Sequence, residues 1–266
     1  MTLYFLGGGN MASAIIGRLR QHRPSLPIHV TDRGEERRRY LAEKFGVAVS
    51  GKLPALTDKD TLVLAVKPQD MQAACAEVSG NGALILSVAA GLGTDTLANY
   101  LHGNRRIIRC MPNTPCAVGE GVSGLFAAEG ISADDRKQVE EIMQTCGMTI
   151  WLDKEEELHS LTGISGSGSA YIFYLMEALA SAARRQGFDE RQAHRLSLAT
   201  FKGAVALAEQ SGEKFPILEQ KVTSKGGTTA AALQVFRQHG TDKIIADGVE
   251  ACIKRSQEIS KQFKTT

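Results

Sequence analysis

The sequence is short of the features that would place it outside the cytoplasm or on a nucleic acid. Its five cysteines, Cys75, Cys110, Cys116, Cys146 and Cys252, are odd in number and irregularly spaced, which argues against a disulfide framework and fits reduced thiols. No uninterrupted apolar run approaches the roughly 20 residues that a membrane span requires, and strand-like sequence begins at Leu3 with no basic leader or cleavable apolar region. A cytoplasmic protein is expected, neither secreted nor inserted in a membrane. Charge of one sign is also scarce. The formal net charge is +2, and the one basic cluster, Arg37, Arg38 and Arg39, reads as a solvated helix face rather than a nucleic-acid footprint, which would be larger and more contiguous. The six histidines are scattered, none in an H-E-x-x-H pattern, and Cys110 and Cys116 lack zinc-finger spacing, so no metal is expected. Internal repeats and low-complexity segments are absent.

What is present is ordinary soluble globular composition, 43% hydrophobic and 23% charged over 266 residues, enough for two domains. Short β-rich runs alternate with helical stretches up to about residue 152: Leu3 to Leu6, Ile28 to Thr31, Val47 to Val49, Leu62 to Val66, Leu84 to Val88 and Arg106 to Cys110. Runs such as Leu62-Val63-Leu64-Ala65-Val66 are apolar throughout instead of at every second residue, as strands covered by helices on both faces require. Val122 to Leu152 is expected to add strands at one edge. After Trp151 the chain turns helical, with a charged segment from Lys154 to Leu161, a Gly/Ser stretch from Gly163 to Ser169, and a long helix ending at Gly187. In that helix Ile172, Leu175, Met176 and Leu179 recur at intervals of three and four, a stripe read as core. Asp189 and Gln192 form a capping-box pattern, and further helices are expected at Thr229 to His239 and Asp242 to Phe263. The expected fold is α/β: an N-terminal doubly wound, mainly parallel sheet in residues 1–153 that binds a dinucleotide, followed by an all-α C-terminal domain in residues 154–266 for substrate and oligomerisation.

Gly7-Gly8-Gly9-Asn10-Met11-Ala12, directly after the first strand and opening a helix, is a G-x-G-x-x-A fingerprint of the Rossmann type. Gly7 permits the tight turn after Leu6, Gly9 lets the backbone approach a pyrophosphate, and Ala12 lets the helix pack closely on the strand, so that phosphates meet free N–H groups. The second strand ends in Thr31-Asp32-Arg33. An acidic side chain there bonds a ribose 2′-hydroxyl and an arginine accommodates a 2′-phosphate. With both present, Arg33 favours NADP, while Asp32 would repel the phosphate if its side chain pointed inward. NADPH is thus the expected donor, with NADH possible. Ala65-Val66-Lys67-Pro68 and Met111-Pro112-Asn113-Thr114-Pro115 follow the fourth and sixth strands, where open α/β sheets bind ligands; Lys67 reads equally as a solvated charge and the prolines equally as strand terminators. In the helical half, Ser224-Lys225-Gly226-Gly227-Thr228-Thr229 precedes an alanine-rich helix. A carboxylate can sit on such free amides, although spacing alone favours an ordinary turn capped by Thr228 or Thr229.

Taken in order, Phe5 to Ala12, Ala65 to Gln69, Arg109 to Pro115, Gly163 to Tyr171 and Val222 to Thr229 resemble the pyrroline-5-carboxylate reductases over nearly the whole chain, the last block being the most specific. The resemblance implies hydride transfer to the carbon of a cyclic imine bearing a carboxylate, giving L-proline, the last step of proline biosynthesis. An iminium is already a good hydride acceptor, so the protein has mainly to align the reactants and exclude water. By the same resemblance the amides of Gly226, Gly227 and Thr228 would hold the substrate carboxylate and the Thr229 hydroxyl the ring nitrogen. Ser224 and Ser165 would shape the pocket. It would form between the helical domains of two subunits, making a homodimer or larger assembly. Lys225 and Ser169 stand where the family usually has proline; Lys225 either attracts the carboxylate or faces solvent. The alternatives are a hydroxyacid dehydrogenase or imine reductase, whose catalytic lysine only Lys202 could supply and without matching flanks, and a non-catalytic dinucleotide sensor.

Overall fold

The computed structural model describes residues 2–79 and 82–263. Eight strands form one sheet in the order β3-β2-β1-β4-β5-β6-β7-β8. They are β1 Leu3–Leu6, β2 Ile28–Thr31, β3 Ala48–Ser50, β4 Thr61–Leu64, β5 Leu84–Ser87, β6 Ile107–Met111, β7 Gly121–Ala127 and β8 Gly147–Trp151. Every neighbouring pair is parallel except β6 and β7. The intervening helices are α1 Asn10–His22, α2 Glu35–Phe45, α3 Met71–Cys75, α4 Thr94–Tyr100 and α5 Ala133–Met143. The doubly wound, mainly parallel expectation is therefore met, and the edge segment supplies β7 and β8 with α5 between them.

The all-apolar strands divide their side chains between two cores. Val63, Leu84 and Leu86 join Phe5 and the α1 residues Ile15, Ile16 and Leu19 on one face, with Val139 and Ile142 of α5. Leu62, Leu64 and Ile85 face the other way, onto Met71 and Cys75 of α3 and Leu97 of α4. Successive side chains of a strand point to opposite faces, so a strand covered on both must be apolar at every position. Each fully buried aliphatic side chain here contributes about 1.5–3 kcal/mol.

From Glu157 onward the chain is helical: α6 Glu157–Leu161, α7 Gly168–Arg185, α8 Glu190–Ser211, α9 Phe215–Lys221, α10 Thr228–Gln238 and α11 Thr241–Phe263. Between α6 and α7 the residues Thr162–Gly166 are wound more widely, with Ser167 N–H donating to the Thr162 carbonyl five residues back at 2.9 Å. The expected capping box is formed in full: Asp189 accepts from Gln192 N–H at 2.8 Å and the Gln192 side chain accepts from Asp189 N–H at 3.1 Å. Gly187, at φ +94°, follows α7 as expected, a left-handed position that favours glycine. The chain separates into two compact units, Met1–Ser167 with Cys252–Thr266, and Gly168–Ala251. Among the described residues no helix is long and apolar enough to cross a membrane.

One expectation fails in the single chain. Ile172, Leu175 and Leu179 of the α7 stripe are exposed, not core. Within residues 168–251 the only buried side chains are Ala180, Ala193 and Ser197. The helices of this unit meet through small residues, so they bury no large apolar group and leave their hydrophobic stripes uncovered.

Candidate functional site

In the sheet-containing unit the site grows from the carboxyl ends of β1, β2 and β4, at the point where the strand order reverses. Leu6, Gly7, Gly8, Gly9, Arg33, Ala65, Val66 and Lys67 line one groove there, together with Thr31, Asp32, Gly51, Asp70, Ala74 and Glu77. Asn10 and Met11 begin α1, and Pro68 opens a short turn, Pro68–Asp70, beside the groove. Gly51, Asp70, Ala74 and Glu77 were not singled out from sequence. The available signal was positional, since Gly51 follows β3 and the other three lie in the segment after β4.

Glycine is needed at the first loop position for two reasons. Gly7 has φ +97°, and a Cβ there would stand 2.8 Å from the Ala65 carbonyl oxygen and from Val66 Cγ1. At Gly9 the geometry differs, because the nearest atom to an added Cβ is the Ala65 oxygen at 4.0 Å. The space beside Gly9 is thus not required by the protein's own packing. Helix α1 starts with no acidic residue in its first turn and no side chain capping its amides, which leaves N–H groups and the positive end of the helix dipole free for an anion.

Asp32 does point inward. Its carboxylate accepts from Gly8 N–H at 2.8 Å and from Gly34 N–H at 2.9 Å, joining the glycine loop to the loop after β2. Arg33 points outward, with its guanidinium 3.9 Å from the Glu77 carboxylate and side chains 71% and 44% exposed. The arginine cluster next to it corrects the expectation of a solvated face, which holds for Arg39 alone. Arg37 donates to the carbonyls of Gly8 and Gly9 and to the Ser13 hydroxyl, and its guanidinium lies 4.8 Å from the Tyr40 ring centre. Arg38 donates to the Asp32 and Arg33 carbonyls at 2.8 and 2.9 Å. Two arginines of α2 therefore fix the two loops that carry the groove, a role invisible to periodicity because it depends on which carbonyls the fold brings within reach. Lys67 is exposed at the groove edge.

Deeper along the sheet, Arg109 of β6 is buried and donates to Glu155 at 3.0 Å, while Glu155 accepts from Thr94 N–H at 2.7 Å. Burial lowers the Arg109 pKa, and the Glu155 carboxylate opposes that shift. Asn113, also buried, ties its loop to two places: its amide donates to the Ser165 carbonyl at 3.0 Å and its oxygen accepts from Val122 N–H at 2.8 Å. The Ser165 hydroxyl itself donates to the Leu161 carbonyl at 3.2 Å.

The helical unit carries the second group of expected residues. Ser224 and Gly226 to Thr229 come together in one turn at the start of α10. Gly226 has φ +72°, Gly227 N–H donates to the Ser224 carbonyl at 3.0 Å, and a Cβ on Gly227 would collide with the Ser224 hydroxyl. The alternative of an ordinary capped turn is not what the chain adopts. Thr228 and Thr229 are the first residues of the helix, and no side chain caps its amides. The turn offers free N–H groups and a threonine hydroxyl to a small anionic, polar ligand.

A doubly wound sheet with a glycine loop at its reversal point has the form of a dinucleotide-binding domain, and the similar proteins make the class an oxidoreductase. Accordingly, residues 2–91 match the family model described as NADP oxidoreductase, coenzyme F420-dependent. Residues 155–259 match the model for pyrroline-5-carboxylate reductase dimerisation. A pyrroline-5-carboxylate reductase of Pseudomonas aeruginosa is 38% identical over 264 residues, 97% of each chain. The solved structure of a pyrroline-5-carboxylate reductase from Coxiella burnetii has a TM-score of 0.89 at 35% identity, covering 97% of this chain and 98% of that one. The crystal structure of a pyrroline carboxylate reductase from Plasmodium falciparum with NADP bound shares the fold, with a TM-score of 0.84 at 24% identity over 98% of both chains. The chain belongs to the pyrroline-5-carboxylate reductase family. Its match to a dimerisation model falls on the helices whose apolar faces are exposed, and it implies a homo-oligomer.

Proposed function

We propose that the protein reduces 1-pyrroline-5-carboxylate to L-proline, the last step of proline biosynthesis, with NADPH as the preferred donor and NADH as a second one. The observation that carries this reading is near full-length identity of 38% to a reductase of that name, in a chain whose Ser224 to Thr229 turn leaves its helix amides uncapped. The groove fits a dinucleotide, because Gly9 keeps open a space that no packed side chain uses. Leu6 to Met11 would hold the pyrophosphate, Arg33 the 2′-phosphate, and Ala65 to Pro68 would border the nucleotide. When bound, the dinucleotide supplies the hydride.

The chain's own residues do the rest. The amides of Gly226, Gly227 and Thr228 bind the substrate carboxylate, and the Thr229 hydroxyl hydrogen-bonds the ring nitrogen, orienting the imine carbon toward the donor. Ser224 and Ser165 shape the pocket, which we place between the helical domains of two subunits. In this reading residues 1–153 bind the dinucleotide, residues 154–266 bind substrate and oligomerise, and the protein works in the cytoplasm, where its five free thiols stay reduced.

The test is the rate of NADPH and NADH oxidation by purified protein on adding pyrroline-5-carboxylate, with an open-chain keto acid and a different cyclic imine as controls. Rapid oxidation selective for pyrroline-5-carboxylate is expected. Absence of oxidation with either donor, in folded protein that binds dinucleotide, would overturn the assignment.

A further inference from the structure

The groove contains more negative than positive side chains. Asp32, Asp70 and Glu77 line it against Arg33 and Lys67, an unusual balance for a site that has to take a dianionic 2′-phosphate. The charge on Asp32 is engaged by two backbone amides. Among the described residues no backbone amide engages the Glu77 carboxylate, which instead faces Arg33 at 3.9 Å. The two side chains come from different walls of the groove, Arg33 from the loop after β2 and Glu77 from the segment after α3, and both are substantially solvent-exposed.

We propose that Glu77 is a specificity-determining residue of the dinucleotide site: it competes with a 2′-phosphate for the Arg33 guanidinium and so holds down the preference for NADPH over NADH. This rests on the proposed dinucleotide function and deepens it. Two effects of the same sign follow from the geometry. A 2′-phosphate that recruits Arg33 has to displace an existing ion pair, and it then stands near a carboxylate that repels it. Neither effect touches a ribose bearing a plain 2′-hydroxyl, so Glu77 acts on the ratio of the two affinities. Exposed ion pairs are weak, so the ratio changes by about 1.4- to fivefold rather than by orders of magnitude.

The experiment measures Kd for NADPH and for NADH, by the change in nicotinamide fluorescence on titrating full-length protein, for wild type, Glu77→Gln, Arg33→Gln and the double variant. Melting temperatures are recorded in parallel to establish that each variant is folded. The expected result is a rise of about 1.4- to fivefold in the NADPH-to-NADH affinity ratio in Glu77→Gln, with a smaller rise when the same change is made in Arg33→Gln protein. It is also expected to shrink at high salt, as a screened contact between exposed charges must. An unchanged ratio in Glu77→Gln, or an equal rise with and without Arg33, overturns the inference while the reductase assignment stands. Wild-type protein that is folded and binds neither dinucleotide overturns both.

Discussion

Thr229 combines two properties that mark it for a direct role: it sits in the uncapped first turn of α10, and because the N-cap position is Gly227 its hydroxyl is not drawn into capping as that of a threonine at the N-cap would be. Thr229→Ala should lower kcat about 10- to 100-fold, the range expected for losing a hydrogen bond to a charged partner, while dinucleotide affinity is retained; stopped-flow turnover and a binding titration check the two halves. A variant with full turnover would remove Thr229 from the mechanism. Gly7 makes a different kind of demand. Its φ of +97° and the 2.8 Å approach of a would-be Cβ to Ala65 oxygen predict that Gly7→Ala costs about 1–3 kcal/mol of stability, read from urea denaturation, together with weaker binding of both dinucleotides. Gly7 was legible in the sequence because the glycine fingerprint is written in residue type and spacing, whereas the role proposed for Thr229 came only from the family resemblance, spacing alone favouring a capped turn. Arg37 and Arg38 were not legible, since three consecutive arginines on a helix look the same whether they meet solvent or the carbonyls of a neighbouring loop.

At the scale of elements, what could be read was periodicity and punctuation. The apolar strands, the Asp189 and Gln192 cap and the glycine after α7 all stand where the pattern put them, and most ends differ by one or two residues because local signals fray where tertiary hydrogen bonds decide the boundary. The wide turn at Thr162–Gly166 was not readable as such, because its shape depends on contacts like the one from Asn113 to the Ser165 carbonyl. Long-range ties of this sort also hold the sheet. Arg106 donates to both carboxylate oxygens of Asp135 at 3.1 and 2.6 Å and to the carbonyls of Asp58 and Gly82, so one side chain fastens α5 to two loops. The Arg106 hydrogen bond is the main reason that the Asp135 pKa is lowered. A carboxylate with a folded pKa below its unfolded value stabilises the fold above the unfolded pKa, about 3.9, and loses that contribution as pH falls through the folded one. Asp135→Asn should therefore be about 1–2 kcal/mol less stable than wild type at pH 7, and the gap should close as the pH drops below about 4. Urea melts at pH 7, 4 and 3 measure it, and a gap independent of pH would assign the loss to packing instead.

At the scale of the whole molecule, the two units differ in how they are held. The sheet has two cores filled with large aliphatic side chains, whereas residues 168–251 bury only Ala180, Ala193 and Ser197. Burial of apolar area is the dominant favourable term in folding, so helices that bury so little within one chain have their apolar stripes available for a second. This is why the α7 stripe was misread as core: helical spacing reports that a face is to be covered, not which chain covers it. Phe173 and Tyr174 of α7, 65% and 77% exposed, and Leu198 of α8, 50% exposed, are among the large side chains left uncovered. Replacing Tyr174 and Leu198 together by aspartate puts unpaired charges where an apolar face needs covering. The variant should shift toward monomer in sedimentation velocity and lose thermal stability in its helical part. It should still bind dinucleotide, whose groove is lined entirely by residues of the sheet-containing unit, but turn over little pyrroline-5-carboxylate, because the proposed pocket needs helices from two subunits. A monomeric variant with undiminished turnover would instead show that one chain completes the pocket, and the role of the exposed helices would then be confined to assembly.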